Sequence, residues 1–259
     1  MIRAKKKYGQ NFLTDKGIIN QIIAAINPSK SEKILEIGPG LGALTIPLLT
    51  KVDHIDAVEI DPDMIAALKE KIPPSKITII PSDILKIDNG QISLYSKVIG
   101  NLPYYISSEI LLKMTKVINN QKDFHFMLQK EVAERISSKT HSKSYGRLTV
   151  MLQYFFDIEL LFDIPRESFI PSPNVTSSLV RLTPRHHNFN KVININNFEK
   201  LLKIAFAQKR KTLKNNFKNI LSDTALHALN INPQDRAEMV SLDDFIRIEN
   251  YITDKKILE

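Results

Sequence analysis

Ile34-Leu35-Glu36-Ile37-Gly38-Pro39-Gly40-Leu41-Gly42 is an apolar run that ends in a glycine loop, and a helix-like stretch from Ala43 to Leu49 follows it. Strand, loop and helix in this order open a nucleotide-binding fold. The glycines let the backbone approach a ligand with no side chain in the way, while the helix start presents free N–H groups. Alone, the loop suits NAD, S-adenosylmethionine or a plain tight turn.

Three further runs extend the pattern. Ile55 to Asp61 carries Glu59 about 20 residues past the loop, where a carboxylate can grip both hydroxyls of a ribose, as NAD enzymes also do. Ile77 to Ile80 closes on Ser82-Asp83, a carboxylate placed to accept from the adenine amine of a cofactor. Lys97 to Gly100 delivers Asn101. Four successive strands therefore bear ligand-facing groups at their carboxyl ends, where open parallel sheets place their sites.

Asn101-Leu102-Pro103-Tyr104 suits a planar base with an exocyclic amine. The Asn101 amide oxygen can accept one amine hydrogen, and the Leu102 carbonyl another if Pro103 fixes the turn. Acceptors around a tetrahedral nitrogen favour the geometry in which the lone pair of adenine N6 is released from the ring. The Tyr104 ring supplies a stacking surface. For the bare tetrapeptide, a Pro-Tyr turn with a core tyrosine is the competing account.

A chain of 259 residues with 43% hydrophobic content can bury a full core, and its length fits one large domain plus a small one. The net charge of +8 and a pI near 9.4 suit a polyanion. No long apolar segment or amphipathic basic tail argues for a membrane, and Met1 to Lys7 has no apolar signal core. With zero cysteines there is no disulfide or thiol chemistry, and the cytoplasm is the expected compartment.

Along the chain, a basic arm runs to about Gln10 and a helix is predicted from Lys16 to Ile26, broken by Asn27-Pro28-Ser29. Strands and helices alternate to about Leu128, with helices at Met64 to Ile72, Ser108 to Val117 and Val132 to Ser138. Gly146 to Gln153 reads as helix, and Tyr154 to Ile164 with Val175 to Leu182 as a closing hairpin. A domain boundary is expected within Thr183 to Asn188, giving domains 1–184 and 185–259. Beyond it, Phe198 to Phe206, Thr212 to Leu221, Ala225 to Leu229 and Leu242 to Ile252 read as short helices. His186 and His187 lack partners at metal-ligand spacing, and no metal is expected.

Tyr8 to Leu13, Glu36 to Gly42, Asn101 to Tyr104 and Phe169-Ile170-Pro171-Ser172-Pro173-Asn174-Val175, in this order, resemble the ribosomal RNA adenine N6-dimethyltransferases. The resemblance covers nearly the whole chain. Phe206 to Asn215, Asp235 to Glu238 and Ser241 to Phe245 are similar to the small-subunit (16S) branch, which dimethylates two adjacent adenosines in a hairpin near the 3′ end of that RNA. The resemblance implies a Rossmann-like α/β class I S-adenosylmethionine-dependent methyltransferase domain, with a seven-stranded mostly parallel sheet, and a small all-helical C-terminal domain. The implied partners are small-subunit rRNA and the immature small subunit, bound by a monomer.

By the same resemblance, Asn101, Leu102, Tyr104 and Phe169 form the catalytic set, with Phe169 stacking on the target adenine opposite Tyr104. Asn11, Leu13, Gly38, Gly40, Glu59, Ile60, Asp83, Ile84 and Asn101 contact or border the cofactor, while Tyr8 and Gln10 lie near the target pocket. Lys5, Lys6, Lys7, Arg147, Lys209, Arg210, Lys211 and Lys214 are the expected RNA contacts, and such phosphate contacts make affinity salt-dependent. The C-terminal helices also carry Lys200, Lys203 and Lys218; a solvated face is the plainer account of that charge.

Three rivals share these motifs in part. Large-subunit rRNA adenine methyltransferases of the antibiotic-resistance type differ in the C-terminal region. DNA adenine methyltransferases commonly carry proline where Leu102 stands and add a target-recognition domain. A ribosome-assembly factor of this fold would bind without turnover.

Overall fold

The computed structural model describes residue 5 and residues 8–118, 120–185 and 191–258. Lys6, Lys7 and the boundary residues His186, His187 and Asn188 lie outside them. The first part of the chain runs through β1 (Phe12–Leu13), α1 (Lys16–Ile26), β2 (Ile34–Ile37), α2 (Thr45–Leu48), β3 (Ile55–Glu59), α3 (Pro62–Lys71) and β4 (Ile77–Pro81). Next come α4 (Asn89–Ile92), β5 (Lys97–Asn101), α5 (Ser107–Met114), β6 (Asp123–Gln129), α6 (Lys130–Ile136) and α7 (Arg147–Phe155). They are followed by β7 (Phe156–Ile164), β8 (Phe169–Ile170) and β9 (Ser177–Pro184). The remaining helices are α8 (Ile195–Ala205), α9 (Leu213–Asn216), α10 (Asp223–Ala228) and α11 (Leu242–Asp254).

Local chemistry accounts for the helix ends. The Asp15 carboxylate accepts from the N–H groups of Gly17 and Ile18 at 2.8 and 3.0 Å, satisfying donors that α1 leaves open, and left-handed Asn27 closes the same helix. Its apolar residues Ile19, Ile22, Ile23 and Ile26 form the buried face. Asp61 caps α3 with Pro62 in its first turn, where the missing N–H costs nothing.

Seven strands form one sheet in the order β4-β3-β2-β5-β6-β9-β7. The β2/β3, β2/β5, β3/β4 and β5/β6 pairs are parallel, while β9 runs antiparallel to β6. All four residues of β2 are buried, as a central strand covered on both faces requires. The strand order reverses about β2 and β5, so the crevice at their carboxyl ends is the switch point of the sheet. There the parallel register sets Ile37 beside Gly100, and a Cβ on Gly100 would stand 2.5 Å from the Ile37 carbonyl oxygen. Glycine is the residue that lets β5 deliver Asn101 at that height.

A second, two-stranded sheet was not expected from the sequence. β1 and β8 pair antiparallel, Phe12 opposite Ile170 and Leu13 opposite Phe169. Side chains of paired residues share a face, so Leu13 and Phe169 point together into the core with Ile19, Ile22 and Leu179, where Phe169 is 2% exposed. The ring expected to stack on a target base thus packs in the core under β1.

Contacts divide the chain into one unit of Met1–Ala133 with Asp157–Pro184 and another of Glu134–Phe156 with Arg185–Glu259. Residues 134–156 thus group with the C-terminal helices, unlike the expected division at 184/185. In that second unit the Tyr154 ring packs on Phe198 of α8 at 5.2 Å, and its hydroxyl accepts from the Val192 N–H. Phe206 lies between Tyr145 and Phe245 of α11, and the buried Glu249 carboxylate accepts from the N–H groups of Ile193 and Asn194 at the start of α8. The helix expected over Thr212 to Leu221 ends at Asn216, whose side-chain amide donates instead to the Ala205 carbonyl.

Truncation tests the placement of Phe169. Phe169→Ala is expected to lower unfolding stability by about 3–5 kcal/mol, the usual cost of emptying a buried phenylalanine site, in urea denaturation. A stability unchanged by the substitution would contradict the core position.

Candidate active site

The carboxyl ends of β2, β3, β4 and β5 open into a cavity roofed by the N-terminal arm. Its lining includes Asn11, Gly38, Gly40, Glu59, Ile60, Asp83, Ile84, Asn101, Leu102 and Tyr104, so most of the expected cofactor and catalytic positions meet here. A neighbouring cavity shares Asn11, Phe12, Gly38, Gly40 and Asn101 and is lined also by Leu13 and Glu36. Leu13 reaches this second lining from the core.

Gly38 and Gly40 have φ of +65° and +56°, a backbone that favours glycine, and the Gly38 N–H donates to the Val58 carbonyl at 2.9 Å. The loop is thereby locked to β3. Glu59, at the end of that strand, accepts from the N–H groups of Ile60 and Asp61 at 2.8 Å through one oxygen and from Gly40 at 3.2 Å through the other. Burial pushes its pKa up against these three donors, and the Gly40-bonded oxygen, with one N–H partner, keeps a lone pair for a hydroxyl. Asp83 accepts from the Leu85 N–H at 2.9 Å through Oδ1, leaving Oδ2 for a ligand amine. Apolar Ile60 and Ile84 lie beside it in the lining. A carboxylate with a lone pair free for a hydroxyl, a second acceptor and apolar Ile60 and Ile84 in one lining fit the adenosine half of S-adenosylmethionine.

Asn101 ends β5 with its Nδ2 donating to the Asn11 carbonyl at 3.1 Å. A carbonyl only accepts, so this bond fixes which way the amide faces and leaves Oδ1 as an acceptor in the cavity. The Leu102 N–H is taken by the Met127 carbonyl at 3.2 Å and its side chain is buried, so its contribution is the backbone carbonyl. Tyr104 shares a 2.6 Å hydrogen bond with Ser177 Oγ, which holds the ring, and burial raises its pKa.

Four features went unread in the sequence. Phe12 is the aromatic that β1 turns toward both cavities, its ring 3.4 Å from a Cβ placed on Gly40. The alternation of Phe12 and Leu13 could have marked it. Lys5 was expected on RNA, yet its ammonium sits 2.6 Å from Asp61 and 2.7 Å from Asp63. Gln10 donates to the same Asp61 at 2.8 Å, tying the arm to the start of α3. Burial works against the Asp61 charge, but Lys5 and Gln10 prevail and hold its pKa below the usual range.

The fourth is Glu36, fully buried in β2, whose Oε2 accepts from the Thr45 hydroxyl at 2.7 Å. Burial pushes its pKa up to about 7, against the Thr45 bond, and the nearby Glu59 charge adds to the rise.

In the C-terminal unit, Arg147, Lys209, Arg210 and Lys211 are exposed. Lys214 is exposed as well and pairs with Asp223 at 2.5 Å. No group of three or more potential metal-ligating side chains occurs among the described residues, and no described helix is long and apolar enough to cross a membrane.

The ribosomal RNA adenine dimethylase family profile matches residues 1–254. A curated relative, ribosomal RNA small subunit methyltransferase A of Neisseria gonorrhoeae, is 46% identical over 98% of each chain. The protein of the same name from Legionella pneumophila is 46% identical over 96% of this chain and 98% of its own. Among solved structures, a dimethyladenosine transferase from Plasmodium falciparum superposes with a TM-score of 0.83 at 27% identity, covering 95% of this chain and 98% of that one.

The position of Glu36 has a pH signature. Between its unfolded value of 4.5 and about 7, the folded state keeps a proton that the unfolded chain releases, so stability falls as pH rises through that window. Glu36→Gln is expected to lose less stability than the wild type between about pH 5 and pH 8 in urea titrations. Equal losses in the two proteins would show that Glu36 ionises normally.

Proposed function

The chain belongs to the ribosomal RNA adenine dimethylase family, and from that membership we propose how its cavity acts on RNA. It is an S-adenosylmethionine-dependent rRNA adenine dimethyltransferase acting on the small-subunit RNA. The finer reading is that N6 of two adjacent adenosines in the 3′-terminal hairpin is dimethylated during small-subunit biogenesis, by a monomer, in the cytoplasm. The substrate is the immature subunit, in which that hairpin is presented.

Bound S-adenosylmethionine supplies an electrophilic methyl group. Around the target, Asn101 Oδ1 and the Leu102 carbonyl accept the two hydrogens of the adenine amine, which draws the nitrogen toward tetrahedral geometry and frees its lone pair. Tyr104, anchored by Ser177, stacks on the base flipped out of its RNA stack. Glu59 and Asp83 hold the ribose and amine of the cofactor, and Gly38 and Gly40 let the backbone come close. The protein contributes placement and electrostatics, with no covalent nucleophile. Asn101 is no base, so the proton leaves to water. Exposed Arg147, Lys209, Arg210, Lys211 and Lys214 are the proposed phosphate contacts, with Lys214 and Lys5 each exchanging a surface ion pair for a phosphate.

The observation that carries this reading is the 3.1 Å bond from Asn101 to the Asn11 carbonyl, which leaves the amide oxygen as the acceptor beside Leu102 and Tyr104. Methyl transfer from labelled cofactor to unmethylated small subunits, with large-subunit RNA and duplex DNA in parallel, tests the substrate. N6,N6-dimethyladenosine in the small-subunit sample alone is expected. Methylated large-subunit RNA would move the chain to the resistance-type branch, and tight binding without transfer would make it an assembly factor. Asn101→Ala is expected to keep cofactor binding and lose transfer; retained turnover would discard the acceptor role.

A further inference from the structure

Two tyrosines follow Pro103, and the cavity accounts for one of them. Tyr104 is half-buried and tied to Ser177. Tyr105, next in the same short turn of Tyr104–Ile106, is 62% exposed although its ring lies on the lining of the cavity. A single exposed ring is ordinary on a protein surface, but one at the edge of a cavity offers a face on which a base can stack.

The ring is also supported. Gly9 of the N-terminal arm passes against it, so close that a Cβ there would lie 3.3 Å from Tyr105 Cδ1, and its φ of +60° is the glycine-favouring region. The arm at Gly9 is in turn bracketed by the ion pair of Lys5 with Asp61 and the bond from Asn101 to Asn11. Tyr105 is thus backed by fixed backbone on one side and open on the other. That is the form of a stacking platform.

Resting on the function proposed above, we propose that Tyr105 binds the nucleobase beside the target adenosine. Taking one base out of an RNA stack strips its neighbour of a stacking partner. When two adjacent adenosines are modified in turn, that neighbour is the other substrate. A ring at the cavity mouth restores the lost stacking, so it stabilises the complex with one adenosine inside and the next one waiting outside. Tyr104 serves the base in the cavity, and Tyr105 serves the one at its rim.

The test compares Tyr105→Ala and Tyr105→Phe with the wild type on unmethylated small subunits, measuring KM for subunits, kcat and, by calorimetry, cofactor Kd. Loss of one base-stacking contact in Tyr105→Ala is expected to raise KM for subunits about tenfold, with cofactor Kd changed by less than about twofold. Tyr105→Phe keeps the aromatic face and is expected to restore most of that affinity. An unchanged subunit KM in Tyr105→Ala overturns the proposal. So does a cofactor affinity that falls in step with activity, because the ring would then belong to the cofactor. Wild-type protein that methylates no small subunits would sink the underlying functional reading, an outcome separate from an active wild type with an indifferent Tyr105→Ala.

Discussion

Two rungs of antiparallel ladder, Phe12 with Ile170 and Leu13 with Phe169, decide what faces the cavity and what fills the core. Because adjacent strand residues point to opposite faces, seating Leu13 and Phe169 among Ile19 and Leu179 leaves Phe12 no choice but the ligand side. The same ladder holds Asn11 where its carbonyl meets Asn101, 90 residues away in the chain. A slip of one residue would bury Phe12, expose Leu13 and take the Asn11 carbonyl from the Asn101 amide. The orientation of the Asn101 amide in the cavity therefore depends on packing that contains no polar group of the site.

The acids of the site are differentiated by their partners. Glu59 sets three backbone N–H groups against its burial and keeps one acceptor site for a hydroxyl. Asp61, two residues on, has a lysine and a glutamine across from it and is held charged, so it serves as the anchor of the arm. Glu36 has only a hydroxyl and a like-charged neighbour, and its proton is correspondingly hard to remove. Three carboxylates within 26 residues of one another thus differ by the donors the fold supplies: three neutral N–H groups at Glu59, three donors including a lysine at Asp61, and one hydroxyl at Glu36.

Much of this was legible because the motifs sit at strand ends. Parallel strands read as runs rich in apolar residues, so the residues at or just beyond the end of each run, Gly38, Glu59, Asp83 and Asn101, could be picked out, and all four line the cavity. The core position of Phe169 was not legible, for the opposite reason. Its side chain is placed by β8, two residues long, whose partner β1 lies more than 150 residues earlier, and so short a ladder leaves no periodicity. The grouping of residues 134–156 with the C-terminal helices has the same origin, since Tyr154 finds Phe198 and Val192 only in three dimensions.

Charge shows the limit of counting. A net +8 suggests that any lysine run touches RNA, but an ammonium already paired with a carboxylate releases few counterions when a phosphate approaches. Lys5 and Lys214 are in that position. Lys209, Arg210 and Lys211 are exposed just before Thr212, whose segment is pinned by the N–H bonds of Leu213 and Lys214 to the Asp235 and Pro233 carbonyls. Backbone anchoring directly after a run of three cations presents their charges from a fixed base. The basic character of the chain thus resolves into lysines already engaged in ion pairs and a shorter exposed cationic segment, Lys209 to Lys211, held from a fixed base.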